Sequence, residues 1–284
     1  MKQEYLDILS LLRPIDNDFM KVIFKDQRCV DLLVQIIFDH HFSIRKFIIG
    51  DEHKNIDGRS VTMDIVIYTH EGVIINIELE KSIENASPLR ARYHACILDS
   101  SLSYPGEKWN ELPEIYVVFI CEKDVFQDQE LVDHIQRYRS NRKVFEDKVH
   151  IFYINAGIED ESPVGMLMHD LMCSDPDQMY YEVLRKRVSY FKKQEGGKKT
   201  MCEALERLVL KERQEAERIG REEGEKVGIE RGKLKTIVMI LMQKFPGHSF
   251  EWVKKCNNEQ IDKIGNNILL DISYDEFYQL IHEI

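Results

Sequence analysis

Along the first 160 residues the spacing of apolar positions changes period several times, and each change marks an element. Phe19, Val22, Ile23, Leu32, Leu33, Ile36 and Ile37 recur at helical intervals, which predicts one or two amphipathic helices over residues 17 to 42. Asn17 or Asp18 supplies the N-cap chemistry. VTMDIVIYT (61 to 69) and VIINIELE (73 to 80) alternate instead, and flank the polar turn His70-Glu71-Gly72. That is the pattern of a β-hairpin. Ser87-Pro88 then opens a helix, with a serine cap and a proline in the first turn, that ends before Pro105-Gly106. IYVVFIC (115 to 121) and HIFYIN (150 to 155) read as buried strands with a helical segment between them. The step from the hairpin through the helix to IYVVFIC fits a βαβ crossover, so the expected fold class is α/β, a mixed sheet flanked by helices.

Beyond residue 160 the period is helical throughout, giving an all-helical C-terminal tail. Four segments are expected: a core at 1–160, a helical extension with a basic stretch at 161–200, a charged connector at 201–245, and a small helical module at 246–284. Gly196-Gly197 is a break, and Gly220, Gly224, Gly228 and Gly232 punctuate the connector, which reads as flexible and partly helical. Glycine at every fourth position also permits close helix–helix contact, hence a homo-oligomer through this region. Ser273 and Glu276 have the spacing of a capping box.

Composition narrows the function classes. Hydrophobic residues make up 43% of the 284, enough for a sizeable core, and the net charge is −11. An acidic chain does not coat nucleic acid, so any contact with DNA must be local. The six cysteines are dispersed without a CxxC pair, which excludes a zinc or disulfide framework. No window has the apolar length of a membrane span, and the acidic start is unlike a signal peptide, so a cytoplasmic location is expected.

The hairpin carries the candidate chemistry. With the turn centred on Glu71, Met63 faces Leu79, Ile65 faces Ile77 and Ile67 faces Ile75, all apolar pairs on one side. On the other side Asp64 opposes Glu78, and Thr62 opposes Glu80. Two opposed carboxylates destabilise a sheet unless something neutralises them, and hard oxygen ligands on a short hairpin suit Mg²⁺ or Mn²⁺. Such an ion polarises a phosphoryl oxygen and lowers the pKa of a bound water.

Asp64 in VTMDIVIYT and Glu78 in NIELEK resemble the D…(D/E)xK pattern of the PD-(D/E)XK superfamily. NDFMKVIF, RARYHACILDSSL, ELPEIYVVFICEKDVF, HIFYIN and the segment ending YYEVLRKRVSYFKK are similar to its Rpn family of recombination-promoting nucleases and transposases. The resemblance spans about residues 14 to 200 and implies a restriction-endonuclease-like core. It assigns the metal to Asp64 and Glu78. The position of the superfamily lysine, often glutamine in this family, is Glu80 here, read as a third metal ligand or a general base. Alternation points Lys81 away from that face, and Lys21 on the first helix is a candidate substitute. Asp18 matches an acidic residue of the family's N-terminal segment. Arg90 and Arg92 cannot share one helix face, and Arg92 is favoured as the phosphate contact.

The stretch from 184 to 200 has seven basic residues against Glu195, so Arg185, Lys186, Arg187, Lys192 and Lys193 are candidates for the DNA backbone. The resulting expectation is a metal-dependent DNA endonuclease acting in recombination or transposition. Its rival is a catalytically degenerate relative that binds DNA or a protein.

Overall fold

The computed structural model describes residues 2–53, 58–103, 105–106 and 108–282, with only the backbone at 258. It divides into two compact units, Met1–Arg207 and Leu208–Ile284.

The first unit is built on a six-stranded sheet of order β1-β2-β3-β4-β6-β5. Its strands are β1 (Ile44–His53), β2 (Val61–Thr69), β3 (Val73–Glu80), β4 (Glu114–Cys121), β5 (Val132–Ile135) and β6 (Val149–Asn155). β1, β2 and β3 pair antiparallel, β3, β4 and β6 parallel, and β5 runs antiparallel to β6. The β3-to-β4 crossover is made by α4 (Pro88–Leu102), as the period change predicts. Ser87 caps α4 by accepting a hydrogen bond from the Arg90 amide.

Helices cover both faces of the sheet. Ile65, Ile67, Ile75, Ile77, Leu79, Val118 and Ile120 pack in one cluster with residues of α1 (Gln3–Leu11), α2 (Asn17–Ile23), α3 (Gln27–Phe38), α5 (Pro163–Met172) and α6 (Glu182–Lys193). Val66, Ile74, Val117 and Phe119 form the other with Ala91, Ala95 and Leu98 of α4. The architecture is thus the mixed, helix-flanked sheet expected, consistent with a restriction-endonuclease-like fold, and the chain beyond it is helical.

Several local expectations are corrected. β1 and β5 add an edge strand on each side of the sheet. The segment between β4 and β6 contains no helix among its residues 122 to 148; it holds β5 and an exposed hairpin arm. Gln127, Gln129, Arg142 and Lys148 there adopt positive φ, which no helix accommodates. Met63 joins the α4-side cluster instead of facing Leu79. The alternation slips at Asp64, beside Gly50 with its φ of 68°, while the β1–β2 register runs unshifted from Ile49–Ile65 to Asp51–Met63. The N-cap of α2 is Asp16, not Asn17 or Asp18, and its side chain makes no capping bond.

Gly196-Gly197 is not a break. Both lie in α7 (Glu195–Lys244), which continues through the four spaced glycines. A Cβ on Gly197 would sit 2.1 Å from the Tyr190 carbonyl oxygen, so its bare backbone is what lets α7 start against the end of α6. In the second unit Leu241, Phe245, Phe250, Val253, Ile264 and Phe277 form a separate core with α8 (Asn258–Asn267) and α9 (Tyr274–His282). Ser273 and Glu276 close the predicted capping box before α9.

Candidate active site

The β2–β3 register follows the predicted pairing, Ile65 with Ile77 and Ile67 with Ile75. Past Ile65 the ladder stops, and side chains replace it. The Asp64 amide donates to Glu78 Oε1 at 3.1 Å, and the Leu79 amide donates to Asp64 Oδ2 at 3.0 Å. Each carboxylate therefore fills a place a backbone carbonyl would occupy, and the two acids converge where the strands part. The site lies at the end of β3, where Glu80 is level with Cys121 of β4.

Glu78 is 1% exposed and held on every side. Asn76 Nδ2 donates to its Oε1 at 2.8 Å, and Arg90 Nη2 donates to its Oε2 at 2.9 Å. Arg90 Nη1 bonds Glu80 Oε2 at 2.7 Å, and Nε bonds His94 Nε2 at 3.3 Å. Because Arg90 can only donate, His94 Nε2 accepts, which puts the ring proton on Nδ1, directed at Asn76 Oδ1 3.0 Å away. Burial lowers the His94 pKa to about 4, and the Arg90 charge adds to the effect, so the ring is neutral. Asn76, Glu78 and Glu80 form a polar stripe on β3 that Arg90 and His94, one helical turn apart on α4, meet from above.

Burial raises the carboxyl pKa of Glu78, and the nearby Asp64 charge raises it further. Burial also raises that of Asp64, opposed by the Leu79 amide and by the charges of Arg90 and Lys21. A buried and a half-buried acid that resist sharing negative charge make a donor set a divalent cation would relieve. Hard carboxylate oxygens also match Mg²⁺ or Mn²⁺, which keep several waters and take few protein ligands. Among the described residues no group of three His, Cys, Asp or Glu side chains is arranged to hold a metal. The fit is therefore to a two-carboxylate site.

The remaining candidates are distributed unevenly. Glu80 Oε1 accepts from the Lys81 and Ser82 amides at 3.0 and 2.9 Å, so this acid ties down the turn after β3 while its other oxygen anchors Arg90. Lys81 points away, to Asp16 at 2.9 Å. Asp16, not Asp18, is thus the acid of the N-terminal segment joined to this region, and Arg13 links it to Glu122. Lys21 acts on Asp64 through its field. Arg92 is exposed and lines a cleft of about 680 Å³ with Arg59, Thr62, Glu80, Arg90 and Tyr93. Asn76 and His94 were not among the sequence candidates, and Arg90 was set aside in favour of Arg92; the signal was the Arg90/His94 spacing facing alternate polar positions of a buried strand.

The basic stretch is mostly turned inward or paired. Arg187 donates to the carbonyls of Val22 and Ile23, and Lys192 to those of Ser10 and Ser174. Lys186 pairs with Glu182 and Lys193 with Asp177. Arg187 and Lys192 thus brace α6 against the N-terminal helices, where carbonyls left over at helix ends need donors. Arg185 is exposed.

Residues 29–159 match the model of one family, described as PD-(D/E)XK nuclease family transposase. No curated protein and no solved structure matches the chain. No helix among the described residues is long and apolar enough to cross a membrane.

Proposed function

We propose, from the membership of residues 29–159 in the PD-(D/E)XK nuclease family transposases, that the chain is a divalent-metal-dependent DNA endonuclease acting in recombination or transposition. The observation that carries this reading is the convergence of Asp64 and Glu78 where β2 and β3 part, beside a cleft lined with arginines. Asp64 and Glu78 hold Mg²⁺ or Mn²⁺, which when bound supplies Lewis-acid activation of water and phosphate. Arg90 takes the part of the superfamily lysine: its fork reaches two acids at once, and two oxygens of a tetrahedral phosphate fit the same pair of donors. Glu80 is a positioning residue that aims Arg90. Arg59 and Arg92 at the cleft mouth contact the DNA backbone. Exposed ion pairs are worth at most about 1 kcal/mol, so Lys186 and Lys193, with Arg185, remain available to phosphate, whereas Arg187 and Lys192 do not.

In this reading residues 1–160 are the nuclease core, 161–200 its helical brace, 201–245 a connector through which copies associate, and 246–284 a separate helical module. The protein works in the cytoplasm. One observation favours the degenerate alternative: both Glu78 oxygens are already engaged by Arg90, Asn76 and the Asp64 amide. Incubating supercoiled plasmid with the full chain in EDTA, Mg²⁺ or Mn²⁺, beside Asp64→Ala and Glu78→Gln, decides the matter. Metal-dependent nicking or linearisation lost in both variants supports the nuclease. Absence of cleavage by the wild type in either metal would leave only the binding alternative.

A further inference from the structure

Between β5 and β6 the chain leaves the sheet as a two-stranded arm, residues 136 to 148, solvent-exposed along nearly its whole length. The Phe145 amide donates to the Arg137 carbonyl and the Arg139 amide to the Lys143 carbonyl, each at 2.8 Å, while Tyr138 bridges to Val144. This register fixes the two faces. Arg137, Arg139, Lys143 and Phe145 share one, Tyr138 and Val144 the other, and Arg142 sits at the tip with φ 64°.

Residues 137 to 148 hold five basic side chains against Glu146 and Asp147, in a chain of net charge −11. Arg137 is paired with Asp147. Arg139 and Lys143 are directly opposed like charges, a pairing that costs stability in a strand pair. No carboxylate among the described residues forms an ion pair with Arg139, Arg142 or Lys143. Tyr138 and Phe145 are 62% and 54% exposed, so the arm has no core that would account for its aromatics.

The arm's position relative to the carboxylates follows from α4. Arg90, near the start of that helix, holds Glu78; Asp99, nine residues on, lies within electrostatic reach of Arg137 and Asp147 at the arm's base. At 1.5 Å per residue this places the arm's base about 14 Å along α4 from the site.

We infer that this arm is a second DNA-binding element, with Arg139, Arg142 and Lys143 gripping the phosphate backbone of the duplex away from the carboxylate site. The inference rests on the nuclease reading only for the choice of DNA; the opposed cations call for a polyanion in any case. Neutralising them removes three phosphate contacts and leaves the carboxylate site untouched.

The test is the affinity of the full chain for a fluorescent 30-base-pair duplex in EDTA across a salt series. It compares wild type with Arg139→Ala/Arg142→Ala/Lys143→Ala and with Arg139→Lys/Arg142→Lys. Each phosphate contact contributes about 0.9 to the slope of log K against log salt, so the alanine variant is expected to lose about 2 to 3 from the slope. The lysine variant should keep it. Melting temperatures equal to wild type establish that the arm variants are folded; a slope lost in both variants would trace to altered arm structure and overturn the phosphate assignment. An unchanged slope in the alanine variant overturns the inference even if the wild type cuts plasmid, and the nuclease reading then stands alone. Arm-dependent binding by a protein that cuts nothing supports the inference and sinks the nuclease. A wild type that binds no duplex overturns the inference outright.

Discussion

Replacing Arg90 by alanine removes the guanidinium that, among the described residues, joins α4 to the polar stripe of β3. Glu78 then keeps Asn76 and the Asp64 amide on Oε1 but loses the partner of Oε2, and Glu80 and His94 lose a donor each. Breaking a buried ion pair by deleting one partner costs about 3–5 kcal/mol. Here the low end applies, because the Arg90 side chain is 32% exposed and Glu78, with its raised carboxyl pKa, can relax by taking up a proton. For a folding unit of about this size, Met1–Arg207, 1 kcal/mol shifts the melting temperature by about 2–4 °C. A loss of about 3 kcal/mol is therefore a fall of about 6–12 °C by calorimetry at pH 7. The effect should be coupled to its partner: in a Glu78→Gln background no carboxylate is stranded, and the same Arg90→Ala change should cost less than half as much. Equal costs in the two backgrounds would refute the assignment of Arg90 as the counter-charge of Glu78, and with it the claim that this arginine replaces the superfamily lysine.

Mn²⁺ at ten times its dissociation constant should stabilise the wild type by about 1.4 kcal/mol and Asp64→Ala not at all, while that variant keeps its duplex affinity; a metal shift surviving Asp64→Ala would move the cation elsewhere. Burial lowers the Lys192 pKa to about 8 from an ordinary 10.5, so between these values the unfolded chain binds more protons and stability rises with pH. Lys192→Met should flatten that rise, measured as the urea midpoint at pH 7 and pH 10, and leave the salt slope of DNA binding unchanged. Glu80→Gln retains an acceptor for the Lys81 and Ser82 amides but turns an NH2 donor onto Arg90, so it should cost about 1.5–3 kcal/mol, whereas Glu80→Lys sets a full cation against Arg90 and should lower stability more without restoring cleavage. Limited trypsin digestion should cut first between 208 and 235, where α7 is almost wholly exposed, yielding a resistant fragment ending near Arg207; mass spectrometry showing first cuts within 61 to 122 would contradict the division of the chain.

The register of the hairpin was legible because one face of it is apolar at every second position, and a slip of one residue would bury Asp64 and Glu78 in the main core. α4 was legible from its cap and proline. β1 escaped because it is an edge strand, buried only in part, whose alternation is interrupted at Gly50. β5 is only four residues long, too short to show a period. Arg90 escaped for a different reason: its direction is set by the polar stripe of a neighbouring strand, and helical spacing shows only that Arg90 and Arg92 diverge. The basic stretch was misleading in the same way. Charge density along a sequence does not say whether a lysine looks outward or, like Lys192, covers the carbonyls of Ser10 and Ser174.

In the proposed reading, in which Glu80 stands where the superfamily has lysine, Arg90 accounts for the exchange. A lysine at that position would bring its ammonium to Glu78 from the same strand, and the turn after β3 would lack the acceptor that now binds two amides. With glutamate there, the cation comes from α4 instead, and the acid that replaced the lysine serves to hold it. The charge balance at the end of β3 is thereby kept: Asp64, Glu78 and Glu80 face Arg90 on one side, with Lys21 acting on Asp64 from α2. In the proposed reading Asp64 and Glu78 take the metal where β2 and β3 part, and Glu80 and Arg90, which line the adjoining cleft, connect that pair to the phosphate.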